Sequence, residues 1–205
     1  MGAAAGSIDH ARIDGRKARR AGTRAAVVDA LLDLLEDGEL RPTGPRIAAR
    51  AGVSLRSIFQ HFTDIEALFA AAADRQTERI RALASPVTGQ GPLSQRLAAF
   101  AAQRARIFEA ITPVRRAALL MEPFSPEIAR RLRQARAAAR REIERVFAPE
   151  LSPLPASEQS EVLAALDAAS GFSTWYTLRA HQDLAPEPAL RVMTRLLANL
   201  LSEER

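Results

Sequence analysis

Cysteine is absent from this chain of 205 residues, and that removes disulfides, thiolate nucleophiles and thiolate-bound metals together. Histidine is nearly absent: His10, His61 and His181 are the only three. No HExxH, no phosphate-cradling glycine loop and no GxSxG occurs, so common metal and nucleophile chemistries have no carrier. No metal and no cofactor is expected. Aromatic residues make up only 5%, with one tryptophan and one tyrosine. Lysine is reduced to Lys17, and arginine carries almost all the positive charge. No run of 18 uncharged apolar residues exists, so no membrane span and no membrane partner is expected. Met1 to Ser7 is rich in small residues and lacks the apolar core of a signal peptide. The missing cysteine fits a reducing compartment, and a cytoplasmic location is expected.

What is present is apolar and helical. Hydrophobic residues reach 47%, enough for a substantial core, and the formal charge of +5 suits a polyanionic partner. Alternating β-branched runs are absent, while Ala, Leu, Arg and Glu dominate, so the chain is expected to be all-α with about nine helices. Residues 1–15 read as a disordered lead. A first helix is expected from near Lys17 to Asp37, with Ala21, Ala25, Val28, Leu32 and Leu35 inward and Gly38 ending it.

The run from Thr43 to Phe62 carries the strongest signal. Ile47, Ala48 and Ala51 give a short helix one apolar face. Gly52 supplies the positive φ that a tight turn requires. Ser54 suits the N-cap of a second helix, from which Ile58 and Phe62 point inward. Leu55, Arg56, Phe59 and Gln60 are left outward, the layout of a helix-turn-helix. An ordinary helical hairpin has the same turn chemistry. Two neighbours favour nucleic acid: Arg12, Arg16, Lys17, Arg19, Arg20 and Arg24 form a basic run broken only by Asp14, and Thr63 to Glu66 reads as a capping box opening the next helix.

From about Arg19 to Phe69 the chain resembles the N-terminal domain of the TetR family of bacterial transcriptional regulators. Thr43, Ile47-Ala48, Ala51 to Ser54, Ser57 to Phe59, His61-Phe62, Glu66 and Leu68 carry the resemblance. It covers roughly the first third. Two positions depart from the family pattern, which has Tyr at Phe59 and Lys at Ile65, both phosphate contacts. Phosphate contact is therefore expected from Thr43, Ser54, Ser57, His61 and the arm residues Arg16, Lys17 and Arg19. Base contact is expected from Arg56, which suits guanine, from Gln60, which suits adenine, and from Leu55 and Phe59 against thymine methyls. Ser54, His61 and Asp64 can be drawn as a catalytic triad, but capping and phosphate contact account for them more simply, and no enzyme activity is expected.

The expected domains are the lead, a three-helix DNA-binding domain over residues 16–62, and a helical ligand-binding and dimerisation domain over 63–205. In the latter, helices are expected over Leu93 to Thr112, closed by Pro113, then Val114 to Met121, Glu127 to Phe147, Ser157 to about His181, and Pro186 onward, with loops at Val87–Pro92 and Pro149–Pro155. Ala135 is expected inward and Ser157 as a cap. The resemblance implies that Ser157–His181 and Glu187–Leu200 pair with a second copy; an intramolecular core is the alternative for their apolar faces. It also implies a small apolar or amphipathic effector. Phe100, Arg104, Phe108 and Met121 are candidates to line its pocket, as are Phe124, Phe172, Trp175 and Tyr176, although each ring also suits plain packing. Trp175 and Arg179 stand one turn apart and are expected to stack. The resulting function is a ligand-responsive repressor that binds a near-palindromic operator as a homodimer. The alternative is a helical ligand-binding dimer without specific DNA binding.

Overall fold

The computed structural model describes residues 4–83 and 85–202, with side chains from Lys17 onward apart from Leu83. Every regular element among them is helical. Contacts divide the chain into a head, Met1–Gln76, and a body, Thr77–Arg205.

The head opens with α1 (Ala4–Glu36), so the expected disordered lead is helical from Ala4; Met1, Gly2 and Ala3 lie outside the described residues. Its buried stripe starts at Val27 and takes in Val28, Leu31, Leu32, Leu34 and Leu35, whereas Ala21 is exposed and Ala25 half-buried. The stripe is both later and wider than expected because α1 is enclosed only where α2 (Gly44–Ala51) and α3 (Leu55–His61) pack on it. Gly38, at φ 92°, turns the chain, and the Glu39 N–H closes on the Leu34 carbonyl at 2.9 Å. Ile47, Ala48, Ile58 and Phe62 meet the α1 stripe to form the head core.

Gly52 sits at φ 67°, ψ 29°, and the Val53 N–H reaches back to the Ala48 carbonyl at 3.0 Å. A Cβ at Gly52 would touch nothing within 4 Å, so a side chain there meets only the backbone penalty of the left-handed region. Gly22, inside α1, is equally open but has ordinary helical geometry. Gly52→Ala is expected to cost about 1–2 kcal/mol while Gly22→Ala stabilises by up to about 1 kcal/mol, opposite signs in urea unfolding.

The next helix, α4 (Ile65–Leu83), starts one residue later than the expected capping box allows. Asp64 caps it, accepting from the Ala67 N–H at 2.7 Å, and the Thr63 hydroxyl turns to Asp64 at 3.3 Å. Leu68, Phe69, Ala71 and Ala72 are buried, and contacts group α4 as far as Gln76 with the head. Arg75 pairs with Asp29 of α1 at 3.2 Å.

In the body, α5 (Leu93–Met121) is one helix with Pro113 inside it. A proline removes one backbone hydrogen bond, yet Phe108 and Ile111 before it and Ala117 after it are all buried, and this packing holds both halves in one rod. The Thr112 hydroxyl takes the Phe108 carbonyl at 2.6 Å, just ahead of the break. The loop from Val87 to Pro92 is no free linker: Val87 is buried, and Arg145 donates to its carbonyl at 2.6 Å. After Ser125, which caps Ile128 at 3.1 Å, comes α6 (Pro126–Val146). Its middle faces solvent, Ala135 included.

A single turn, α7 (Ala148–Leu151), occupies part of the expected loop. Then α8 (Ala156–Ala169) begins after Pro155, so Ser157 lies within the helix rather than capping it. The expected helix over Ser157–His181 is interrupted: α8 ends at Ala169, and α9 (Phe172–Tyr176) restarts after Gly171, winding on as a π-turn through His181. The Ser170 hydroxyl bonds the Leu166 carbonyl at 2.7 Å, and a Cβ on Gly171 would stand 3.0 Å from the Asp167 carbonyl. Finally, α10 (Pro186–Leu201) buries Ala189, Met193, Leu197 and Leu201 against α5 and α8. The body core centres on Phe100, Phe147, Leu166 and Trp175. Arg96, only 3% exposed, pins α5 to α7 by donating to both Glu150 carboxylate oxygens and to the Val146 and Gly91 carbonyls.

Candidate nucleic-acid interface

Three local features position the outer face of α3. Ser54 accepts from the Ser57 N–H at 3.1 Å, fixing the first turn. Ile58 is fully buried, and Phe62 lies under the Arg24 guanidinium at 4.9 Å, fixing the inner face. Arg46 with Glu39 and Arg50 with Asp37 join α2 to the chain that follows α1, at 3.1 Å and 2.5 Å. Those two arginines are therefore paired.

The four base-contact candidates do end up together outside. Leu55 is 38% exposed and Phe59 51%, large values for apolar side chains, and Arg56 and Gln60 are also exposed. Leu55 leans on the N-terminus of α2: a Cβ on Gly44 would stand 2.9 Å from its Cδ1. Exposed Phe and Leu beside Arg and Gln form a mixed apolar and hydrogen-bonding ridge along one short helix.

Beside the ridge, Arg19, Arg20 and Thr23 of α1 face Ser57, Gln60 and His61 of α3 across an open groove of about 470 Å³. Arg20 reaches the Gln60 carbonyl at 3.4 Å. Of the phosphate candidates, Lys17, Arg19 and Thr43 are exposed, while Ser57 and His61 are half-buried in or near the groove. Ser54 keeps its hydroxyl proton to donate because it serves the cap as an acceptor. Thr43 makes no side-chain cap bond to α2. Arg16 lies on α1, and its side chain falls outside the described residues. The sequence names Arg20 only within the basic run and does not point to Thr23; their one-turn spacing from Arg16 and Arg19 is the signal.

The effector candidates separate into distinct places. Phe108, Phe172 and Trp175 form one ring cluster, with centroids 5.8 Å and 6.5 Å from Phe108, and Tyr176 stacks on Phe172 at 5.8 Å. Phe100 instead packs edge-on against Phe147 at 5.2 Å, under Arg104 at 4.7 Å. Arg104 pairs with Glu142 at 3.2 Å, and its burial pushes the guanidinium below its ordinary value. Met121 is half-buried, and Phe124 is 79% exposed. Trp175 and Arg179 do not stack as expected but converge on Glu109. The indole N–H donates at 2.9 Å and the guanidinium at 2.8 Å, and the Arg179 bond holds the carboxyl below the usual range.

A short glycine-turned helix pair with the second helix exposed and flanked by arginines is a helix-turn-helix. Residues 27–72, which span that pair, match the family model for bacterial regulatory proteins of the tetR family. No curated protein matches the chain. Among solved structures, a transcriptional regulator from Rhodococcus sp. Rha1 is similar in fold: 22% identity over 87% of this chain and 95% of that one, with a TM-score of 0.68. A tetR-family transcriptional regulator from Streptomyces coelicolor gives 20% identity, 87% and 78% coverage, and a TM-score of 0.65. A TetR/AcrR-family regulator from Thermobifida fusca gives 22% identity, 89% and 98% coverage, and 0.59. No helix among the described residues is long and apolar enough to cross a membrane.

Proposed function

We propose that this protein is a ligand-responsive transcriptional repressor that binds a near-palindromic DNA operator as a homodimer. The ridge of Leu55, Arg56, Phe59 and Gln60 on α3 carries the reading, because apolar and bidentate polar groups exposed together suit base edges in a major groove. The groove of Arg19, Arg20, Ser57 and His61 supplies donors for phosphate. One such helix reads only a few base pairs, so two copies are required for an operator of useful length.

The second copy is held by the outer faces of α8 and α10. Val192 and Leu196 of α10 are 36% and 41% exposed, and Ala164 and Ala168 of α8 are exposed as well. Small residues on one helix and branched ones on the other let two such pairs pack closely. The effector enters the body and favours the spacing of heads that does not fit the operator; a ligand indifferent to the two states would release nothing.

Selecting bound duplexes from a random pool tests this directly. A two-fold symmetric sequence with half-sites about one helical turn apart is expected, bound with a steep salt dependence. Arg56→Ala is expected to lose about 1–3 kcal/mol at one position of each half-site and to relax preference there alone. Bound sequences without symmetry, or a monomer in sedimentation at micromolar concentration, would sink the repressor reading. Ligand binding without any sequence preference would favour the helical carrier instead.

A further inference from the structure

Arg115 and Arg116, near the C-terminal end of α5, are half-buried arginines without a hydrogen bond or an ion pair among the described residues. What they do meet is aromatic. The Arg115 guanidinium carbon stands 5.7 Å from the Phe172 ring centre, and that of Arg116 stands 5.8 Å from Tyr176. The two rings are themselves stacked, at 26° and 5.8 Å. Two neighbouring cations therefore lie over two neighbouring rings along the packed seam of α5 and α9.

Among the described residues, the acids close by are engaged elsewhere. Glu122 takes both of its oxygens to Arg136, at 2.7 Å and 2.8 Å. Glu109 is shared by Trp175 and Arg179. Arg136 adds like charge beside Arg115, and burial together with that neighbour pushes the Arg115 guanidinium below its ordinary value. Cation–π contact offsets part of the lost hydration, but it leaves the N–H donors of both guanidinium groups without acceptors among the described residues. A planar carboxylate is the group that such donors recognise in bidentate fashion. The faces of Phe172 and Tyr176 are taken by each other and by the two cations, but both rings are only half-buried, and their edges supply apolar contact for whatever the carboxylate is attached to.

We propose that the effector is a carboxylate with an aromatic or aliphatic body, its anionic end held by Arg115 and Arg116 and its apolar part laid against Phe172 and Tyr176. This rests on the reading of the body as the effector-binding part.

The test is calorimetric titration of the full chain, without DNA, with 4-phenylbutyrate and decanoate and with the primary amide of each. Each acid is expected to bind at least about tenfold more tightly than its amide. Arg115→Gln is expected to remove that preference, and Arg116→Gln to reduce it. Arg106→Gln, which alters an exposed arginine on the same helix, leaves it unchanged. Melting curves establish that the variants are folded; since Arg115 loses a like-charge contact, Arg115→Gln is expected to melt no lower than the parent. Acids and amides that bind alike, acids that do not bind, or an acid preference that survives Arg115→Gln in the folded protein overturns the proposal. A gel-shift measurement with the selected operator separates the two readings. DNA binding without acid preference removes only the carboxylate, whereas acid preference without DNA binding removes the repressor.

Discussion

Ile58→Ala is expected to lose about 2–5 kcal/mol in urea unfolding of the head and to abolish operator binding. Ile58 is fully buried and is the buried residue of α3, which packs on α1 and α2. Removing three carbons there leaves a cavity under a helix of only seven residues. So short a helix has little stability of its own and holds its orientation through packing. The loss of binding should be uniform across operator sequences, because the whole ridge is displaced. Arg56→Ala gives the contrast: an exposed residue, a stability change within about 0.5 kcal/mol, and a loss confined to one base position. Gel shifts against single-base operator variants, together with unfolding curves, check both. An Ile58→Ala protein that binds its operator as the parent does would show that α3 is not the reading element.

Glu150→Ala is expected to be as costly in the body, about 3–5 kcal/mol. The Arg96 guanidinium is buried, and the Glu150 hydrogen bonds hold it above its ordinary value; a guanidinium is basic enough to stay charged near neutral pH without them, so the cation persists when its partner is removed. Without Glu150 it keeps only the carbonyls of Gly91 and Val146, which satisfy donors but supply no opposing charge. Replacing both partners, as in Arg96→Met with Glu150→Leu, should recover most of the loss, because a buried ion pair is often no better than an apolar contact of the same volume. Thermal unfolding of the two variants decides the matter. A double variant as unstable as Glu150→Ala would locate the cost in packing rather than in the unpaired charge.

The local grammar of the head was legible because its signals are short-range. Gly52 needs positive φ and Ser54 needs an orphan N–H three residues on, and both partners lie within one turn. The same reasoning misplaced the next cap by one residue, since Thr63 and Asp64 are both good caps and only the packing of Leu68 and Phe69 sets the helix register. In the body the local signals misled more. Pro113 reads as a stop but sits inside a helix clamped on both sides, and Ser157 to His181 reads as one helix but breaks at Gly171. Residue type alone groups Phe108, Phe172, Trp175 and Tyr176 with Phe100 and Phe124; the first four assemble, and the last two do not join them.

By itself the sequence determined an all-helical chain, a glycine-turned helix pair, and which four residues of its second helix face away from the core. Each of these follows from backbone dihedrals and apolar periodicity, which act over a few residues. Tertiary structure alone decided that Glu109 joins Trp175 to Arg179 and that Arg96 finds Glu150. It alone left Arg115 and Arg116 over rings instead of beside acids. Those partners are 54 to 70 residues apart where they are hydrogen-bonded, and which charge meets which is settled only when packed helices bring them within a few ångströms.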